Sequence, residues 1–78
     1  MRILEKRNIY LKLDEMIRFN VPGDALELSE QLGVSANTFL KSIEEMRGMG
    51  APILYNGNLG HYFYRESGQF LFGFIRYN

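Results

Sequence analysis

Few residues of this sequence are suited to chemistry, and they do not combine into a catalytic set. His61 is the only histidine. Among aromatic neighbours an imidazole most often has a structural role, although a pH-sensitive or ligand-binding role stays open. Glu44 and Glu45 are adjacent on a predicted helix, so their carboxylates point to different sides and make a poor acid–base pair. Because the sequence also offers no Ser/His/Asp combination and no set of metal ligands, we expect no enzyme, no metal site and no cofactor.

The segment from Asn56 to Gly60 contains two glycines, but its surroundings do not favour a phosphate-binding loop. No Lys-Ser/Thr pair follows it, and no helix is predicted to begin there. Asn and Gly readily adopt the positive φ angles that tight hairpin turns need. We therefore predict a turn here, between two strands over residues 53–55 and 61–65.

The composition places the chain among small globular proteins. Its 78 residues make one domain, residues 1–78, and the formal net charge is zero. No apolar run approaches the roughly 18 residues of a membrane-spanning helix, and the charged N-terminal stretch has no apolar signal-peptide core. The absence of cysteine excludes disulfides and fits a reducing compartment. We expect a cytoplasmic protein with no membrane partner.

Three stretches that would position these residues carry apolar side chains at helical spacing. The first predicts a helix over residues 3–19, ended by a Pro-Gly pair. The second predicts a helix over residues 24–32, where Asp24 is the expected N-cap and Glu27 completes a capping box. A tight turn at a glycine then leads to a third predicted helix over residues 36–47. The predicted buried faces consist of Ile9, Leu13, Met16 and Ile17; Leu28 and Leu32; and Phe39, Ile43 and Met46.

The last stretch, residues 69–77, predicts a third strand that is apolar on both faces. One face of such a strand can pack on the helices of its own chain, while the other needs a partner. We therefore predict a homodimer interface along this strand, and coverage of the second face by the first helix is the open alternative. The predicted interface residues are Phe70, Phe72, Phe74 and Tyr77.

Four short motifs follow one another through the middle of the chain: Leu32-Gly33-Val34-Ser35, Thr38-Phe39, Ile43-Glu44-Glu45-Met46 and Gly50-Ala51-Pro52-Ile53. This series resembles the winged helix-turn-helix domains of bacterial transcription regulators, especially deoR-like regulators and the N-terminal domains of biotin-ligase repressors. Gly60-His61-Tyr62 stands where that family often has Gly-Gly-Tyr. The resemblance covers residues 9–64. It implies an α+β fold of three helices followed by a β-hairpin wing, to which this chain adds an extra C-terminal strand.

The resemblance implies that the chain binds duplex DNA and regulates transcription. The helix over residues 36–47 would be the recognition helix, whose N-terminal residues meet base edges in the major groove, while the wing reaches the minor groove or the backbone. Asn37 would contact adenine, and hydroxyls and cations would hold phosphates. The implied DNA-binding residues are Ser35, Ala36, Asn37, Thr38, Lys41, Arg47, Asn58, His61 and Arg65.

The charges along residues 24–47 oppose this expectation, because only Lys41 and Arg47 are basic there and five residues are acidic. Neutralisation of phosphates by Lys and Arg provides most non-specific affinity, so we expect weak binding by one copy and stronger binding by a homodimer. The two cations are alternatively solvated partners of Glu44 and Glu45 on the same helix. The alternative function is a winged-helix module that binds another protein, or serves assembly, without binding DNA.

Overall fold

Three helices come first along the chain: α1 (Ile3–Arg18), α2 (Ala25–Leu32) and α3 (Ala36–Gly48). The computed structural model describes residues 3–71 and 73–77, with side chains from Lys6 onward. All three predicted helices are present, and their ends differ by one residue from the predicted ranges. Two antiparallel hairpins follow, so the fold is α+β with the helices preceding the strands.

Local signals set the join between α2 and α3. The Asp24 carboxylate accepts the backbone N–H of Glu27 at 2.9 Å and the Glu27 carboxylate accepts that of Asp24 at 3.1 Å, which is a capping box. Gly33 ends α2 in the left-handed conformation, at φ 79°, where a side chain would be strained. Ser35 then caps α3 by accepting the backbone N–H of Thr38 at 3.1 Å. The two helices are therefore joined by a turn of only three residues.

The first hairpin consists of β1 (Ile53–Asn56) and β2 (His61–Tyr64), with Ile53 opposite Tyr64 and Asn56 opposite His61. The side chain of Asn56 stabilises its turn by accepting the backbone N–H groups of Asn58 and Leu59. The segment between α1 and α2 lies against this hairpin: Pro22 forms an isolated bridge with His61, and the N–H of Gly23 donates to the Gly60 carbonyl at 2.8 Å. The hairpin is thus held close to the start of α2.

The prediction of one strand over residues 69–77 is wrong, because the chain folds back on itself there. β3 (Gly68–Phe70) and β4 (Phe74–Arg76) pair antiparallel, and the N–H of Leu71 donates to the Gly73 carbonyl in the bend between them. Gly73 lies in this bend, between the two short strands. Phe72 lies outside the described residues.

The core lies where all three helices meet both hairpins. Phe70 belongs to it, since its ring packs edge-on against Tyr10 of α1 with centroids 5.6 Å apart. Phe70 is therefore covered by the first helix, which is the alternative that the sequence left open. None of the described helices is long and apolar enough to cross a membrane. The buried apolar residues are Leu13, Ile17, Leu28, Phe39, Ile43, Met46, Ala51, Ile53, Tyr62 and Phe70.

Candidate nucleic-acid interface

The outer face of α3 is the first part of the candidate site. The buried face of α3 includes Phe39, Ile43 and Met46. The residues on the opposite side of the helix therefore point away from the core. Asn37 and Lys41 are exposed there. This face begins at the N-terminal end of α3, and its apolar component, Leu40, is 48% exposed. The arrangement offers an amide, an ammonium group and an isobutyl side chain to a partner molecule.

Ser35 and Thr38 lie at the start of α3 but are committed to each other. The Ser35 hydroxyl accepts the Thr38 backbone N–H and donates to the Thr38 hydroxyl at 3.0 Å. Ser35 therefore acts as the N-cap of α3, and the Thr38 hydroxyl still has hydrogen-bonding capacity for an incoming oxygen. Ala36 is half-buried beside them. Capping is the role for which the structure gives direct contacts.

Arg47 and Lys41, the two cations of α3, are in different situations. Arg47 forms an ion pair with Glu44 and donates its Nε–H to the Ile53 carbonyl at 3.1 Å. The alternative in which Arg47 pairs with a carboxylate of its own helix is therefore confirmed. Lys41 makes no hydrogen bond or salt bridge with the part of the chain that the structure describes, although its charge acts on Glu45. Within the described residues, Lys41 is therefore the α3 cation that no carboxylate holds by a hydrogen bond.

Glu45 of α3 forms hydrogen bonds with two residues of α1. Its carboxylate accepts Lys6 Nζ and the Tyr10 hydroxyl, both at 2.8 Å. These two bonds, that of Lys6 first, hold the pKa of Glu45 below its ordinary value. Burial, followed by the Glu45 contact, raises the pKa of Tyr10 to about 12. The Lys6–Glu45 pair therefore brings a cation of α1 beside α3. The Glu44–Arg47 pair, in contrast, matches one acid with one cation and leaves the balance of charge along residues 24–47 unchanged.

The first hairpin contributes the remaining predicted residues. Asn58 is exposed in the turn and Arg65 is exposed just after β2. His61 is half-buried: its Nδ1 lies 3.1 Å from the Tyr62 carbonyl, and its ring meets Phe63 edge-on. Since its backbone also bridges to Pro22, His61 has the structural contacts expected of an imidazole among aromatic residues. The structure thus brings Asn58 and Arg65 to the surface and holds His61 within the hairpin.

The residues predicted for a homodimer interface differ in their exposure to solvent. Phe70 is 1% exposed and already covered by its own chain, so its place in the predicted interface is corrected. The half-buried Phe74 packs on Tyr64, with ring centroids 4.7 Å apart. Tyr77 is 51% exposed, and its hydroxyl donates to Gln69. Of this set, Tyr77 is therefore the residue most available to a second copy.

One buried carboxylate was not predicted from the sequence. Asp14 is 2% exposed, and its carboxylate accepts Arg18 Nε, the Tyr64 hydroxyl and the Phe70 backbone N–H, all at 2.8 Å. Its sequence signal was its place beside the apolar Leu13, together with a cation four residues later. Because all three donors belong to the same chain, we assign Asp14 a structural role.

The comparisons with family models, with curated proteins and with solved structures found no match. Within residues 3–71 and 73–77, no group of three or more His, Cys, Asp and Glu side chains could hold a metal ion.

Proposed function

We propose that this chain is a winged helix-turn-helix domain that binds duplex DNA, with α3 as the recognition helix and the first hairpin as the wing. The observation that supports this most directly is the exposed face of α3. Asn37 and Lys41 stand on it, at the end of a short capped turn from α2. In helix-turn-helix proteins the N-terminal residues of the second helix contact base edges in the major groove.

Each group on this face has a matching partner on DNA. The Asn37 amide both donates and accepts, as the N7 and N6 groups of adenine require, and Leu40 can contact a thymine methyl group. Lys41 supplies a cation for a phosphate, and Asn58 and Arg65 on the hairpin extend the contact beyond the helix. The binding is non-covalent, and we propose a role in transcription regulation in the cytoplasm.

The affinity of a single copy is proposed to be low. Arg47 shares its charge with Glu44, so Lys41 is the main unpaired cation of α3 within the described residues. Few neutralised phosphates give little non-specific affinity and a shallow salt dependence. A second copy doubles the contacts, and two-fold symmetry would then favour a palindromic site with half-sites about one helical turn apart.

Fluorescence anisotropy with labelled mixed-sequence duplexes at low salt tests this proposal. We expect a saturable rise in anisotropy that weakens as salt is added, because released counterions oppose binding. Absence of binding at protein concentrations where a dimer is populated would overturn the proposed function. A duplex selected from a random pool would then define the preferred sequence.

The second candidate function is a protein-binding or assembly module, and exposed apolar side chains favour it. Leu26 of α2, Leu40 of α3 and Leu54 of β1 are 59%, 48% and 42% exposed. Apolar surface rimmed by charge is common where proteins associate. Leu26→Glu separates the two functions, because Leu26 is not among the residues proposed to contact DNA: it should weaken binding to an apolar protein surface and leave duplex binding through Asn37 and Lys41 nearly unchanged.

A further inference from the structure

A small cavity lies between the end of α3 and the start of the first hairpin, with a volume of about 170 Å³. This volume is several times the share of one water molecule in the liquid, about 30 Å³, so a phosphate group can enter. Two arginines face this space and no carboxylate lines it. The lining residues are Arg47, Ala51, Pro52, Ile53, Leu54 and Arg65.

Arg47 is held in place on one side of the cavity. Its Nε–H donates to the Ile53 carbonyl, and one terminal nitrogen pairs with Glu44. A guanidinium group has five N–H donors in a rigid plane, so these two contacts fix the plane and leave three N–H groups for a ligand. Arg47 is thus preorganised, which lowers the entropic cost of binding an anion.

Arg65 also lines the cavity, and its guanidinium is available. Its side chain is 69% exposed and approaches Glu66 only to 3.9 Å, while Glu66 is held more closely by Arg76 at 2.6 Å. No hydrogen bond to the Arg65 guanidinium occurs within residues 3–71 and 73–77. The backbone N–H of Arg65 donates to the Pro52 carbonyl at 2.8 Å, which anchors its Cα beside the cavity.

We propose that this cavity binds a tetrahedral oxyanion of the phosphate type between Arg47 and Arg65. Paired guanidinium groups match the geometry of phosphate oxygens, and their charge offsets that of the anion. The apolar walls formed by Pro52 and Leu54 suit the carbon atoms of an attached group. The phosphate comes from the DNA backbone or is a free phosphate; the DNA source rests on the proposed function, whereas the site itself does not.

Titration of the full chain with inorganic phosphate, followed by the arginine Nε–Hε and backbone amide signals in NMR, tests the site. We expect saturable shifts at Arg47, Arg65 and residues 51–54 that sodium chloride at equal ionic strength does not produce. Arg65→Gln should weaken phosphate binding at least about tenfold, as expected for loss of a charge-assisted bond. Lys12→Gln is the matched control, because Lys12 is an exposed cation of α1 that does not line the cavity and forms no salt bridge within the described residues. It should bind phosphate like the wild type.

A second arm adds a mixed-sequence duplex and identifies the source of the phosphate. Competition between phosphate and duplex, with weaker duplex binding by Arg65→Gln than by Lys12→Gln, supports the site and assigns it to the DNA backbone. Saturable phosphate binding with no duplex binding supports the site with a free phosphate, while the proposed DNA function fails. Phosphate shifts that are absent, or equal in both variants, overturn the site even if the duplex binds at α3.

Discussion

The carboxylate of Asp14 on α1 accepts the backbone N–H of Phe70 on β3 at 2.8 Å, across 56 residues of sequence. The same carboxylate accepts the Tyr64 hydroxyl and the Arg18 guanidinium. Burial, and after it the bond to Asp14, raises the pKa of Tyr64 above its ordinary value. One buried carboxylate thus joins the end of α1, the first hairpin and the second hairpin.

Replacing Asp14 should therefore destabilise the whole fold. Asp14→Asn removes the charge opposite Arg18 and supplies one acceptor oxygen where three donors converge, so we expect a loss of about 3 kcal/mol in the free energy of unfolding. Urea denaturation followed by circular dichroism measures it. Glu15→Gln, at the exposed neighbouring position, should change stability by less than about 0.5 kcal/mol. Equal stability of the two variants would show that the Asp14 contacts contribute nothing.

Features of this fold that depend on neighbouring residues could be predicted from the sequence, whereas those that depend on residues distant in the sequence could not. The helices could be predicted because the capping box of Asp24, the turn at Gly33 and the apolar periodicity are encoded within a few residues. The fold-back of residues 69–77 could not, since it depends on an N–H of Phe70 reaching a carboxylate on α1. At the candidate site, the exposure of Asn37 and Lys41 could be predicted from the helical spacing of the apolar residues of α3. The attachment of Arg47 to the Ile53 carbonyl is a tertiary contact with no local signal.

Gly68 is required by space rather than by backbone conformation. A Cβ at this position would lie 2.4 Å from both the Phe74 ring and the Ile75 carbonyl oxygen. Gly68→Ala should therefore separate β3 from β4 and destabilise the protein by about 1–3 kcal/mol, as overpacking does. Gly48→Ala is the control, because a Cβ there meets nothing within 4 Å and alanine favours a helix. Thermal unfolding should show a lower midpoint for the first variant and an equal or higher one for the second.

Glu45 and Tyr10 make stability depend on pH at both extremes, since the bond from Lys6 and then that from Tyr10 lower the pKa of Glu45, while burial and then Glu45 raise the pKa of Tyr10. Because the folded pKa of Glu45 is lowered, its contribution is present above the ordinary value of 4.5 and is lost as pH falls through the folded value. Because the pKa of Tyr10 is raised to about 12, stability also falls as pH rises between 10 and 12. Tyr10→Phe should flatten both limbs of a plot of unfolding free energy against pH only in part, because Lys6 still lowers the pKa of Glu45 and the pKa values of Tyr62 and Tyr64 are also raised.

Tyr77→Phe is the control for this pH profile, since the Tyr77 hydroxyl bonds Gln69 at the surface and does not contact Glu45. It should leave the acid limb unchanged. An acid limb as steep in Tyr10→Phe as in the wild type would show that Tyr10 does not influence the titration of Glu45.

Under the proposed function, Asn37 and Lys41 should affect DNA binding in different ways. Lys41→Ala should weaken binding to every duplex and lower the salt slope by about one, because one phosphate contact is lost. Asn37→Ala should leave the slope unchanged and reduce the preference for a selected duplex over a mixed one by about 1–3 kcal/mol. Anisotropy titrations at several salt concentrations separate the two. Identical effects of both variants would contradict the assignment of base and phosphate contacts.

The outer face of the second hairpin is where we expect a second copy to bind. This face carries Ile75 and Tyr77, which are two residues apart in an extended chain and therefore point to the same side. They are 50% and 51% exposed. Light scattering after size exclusion should give twice the 9.1 kDa chain mass at high micromolar concentration. Ile75→Lys should shift the protein to monomer by placing a charge in the contact, while Leu59→Lys, at a 66% exposed site in the turn of the first hairpin, should not. A wild-type monomer at that concentration would exclude this homodimer, and DNA binding would then depend on one copy.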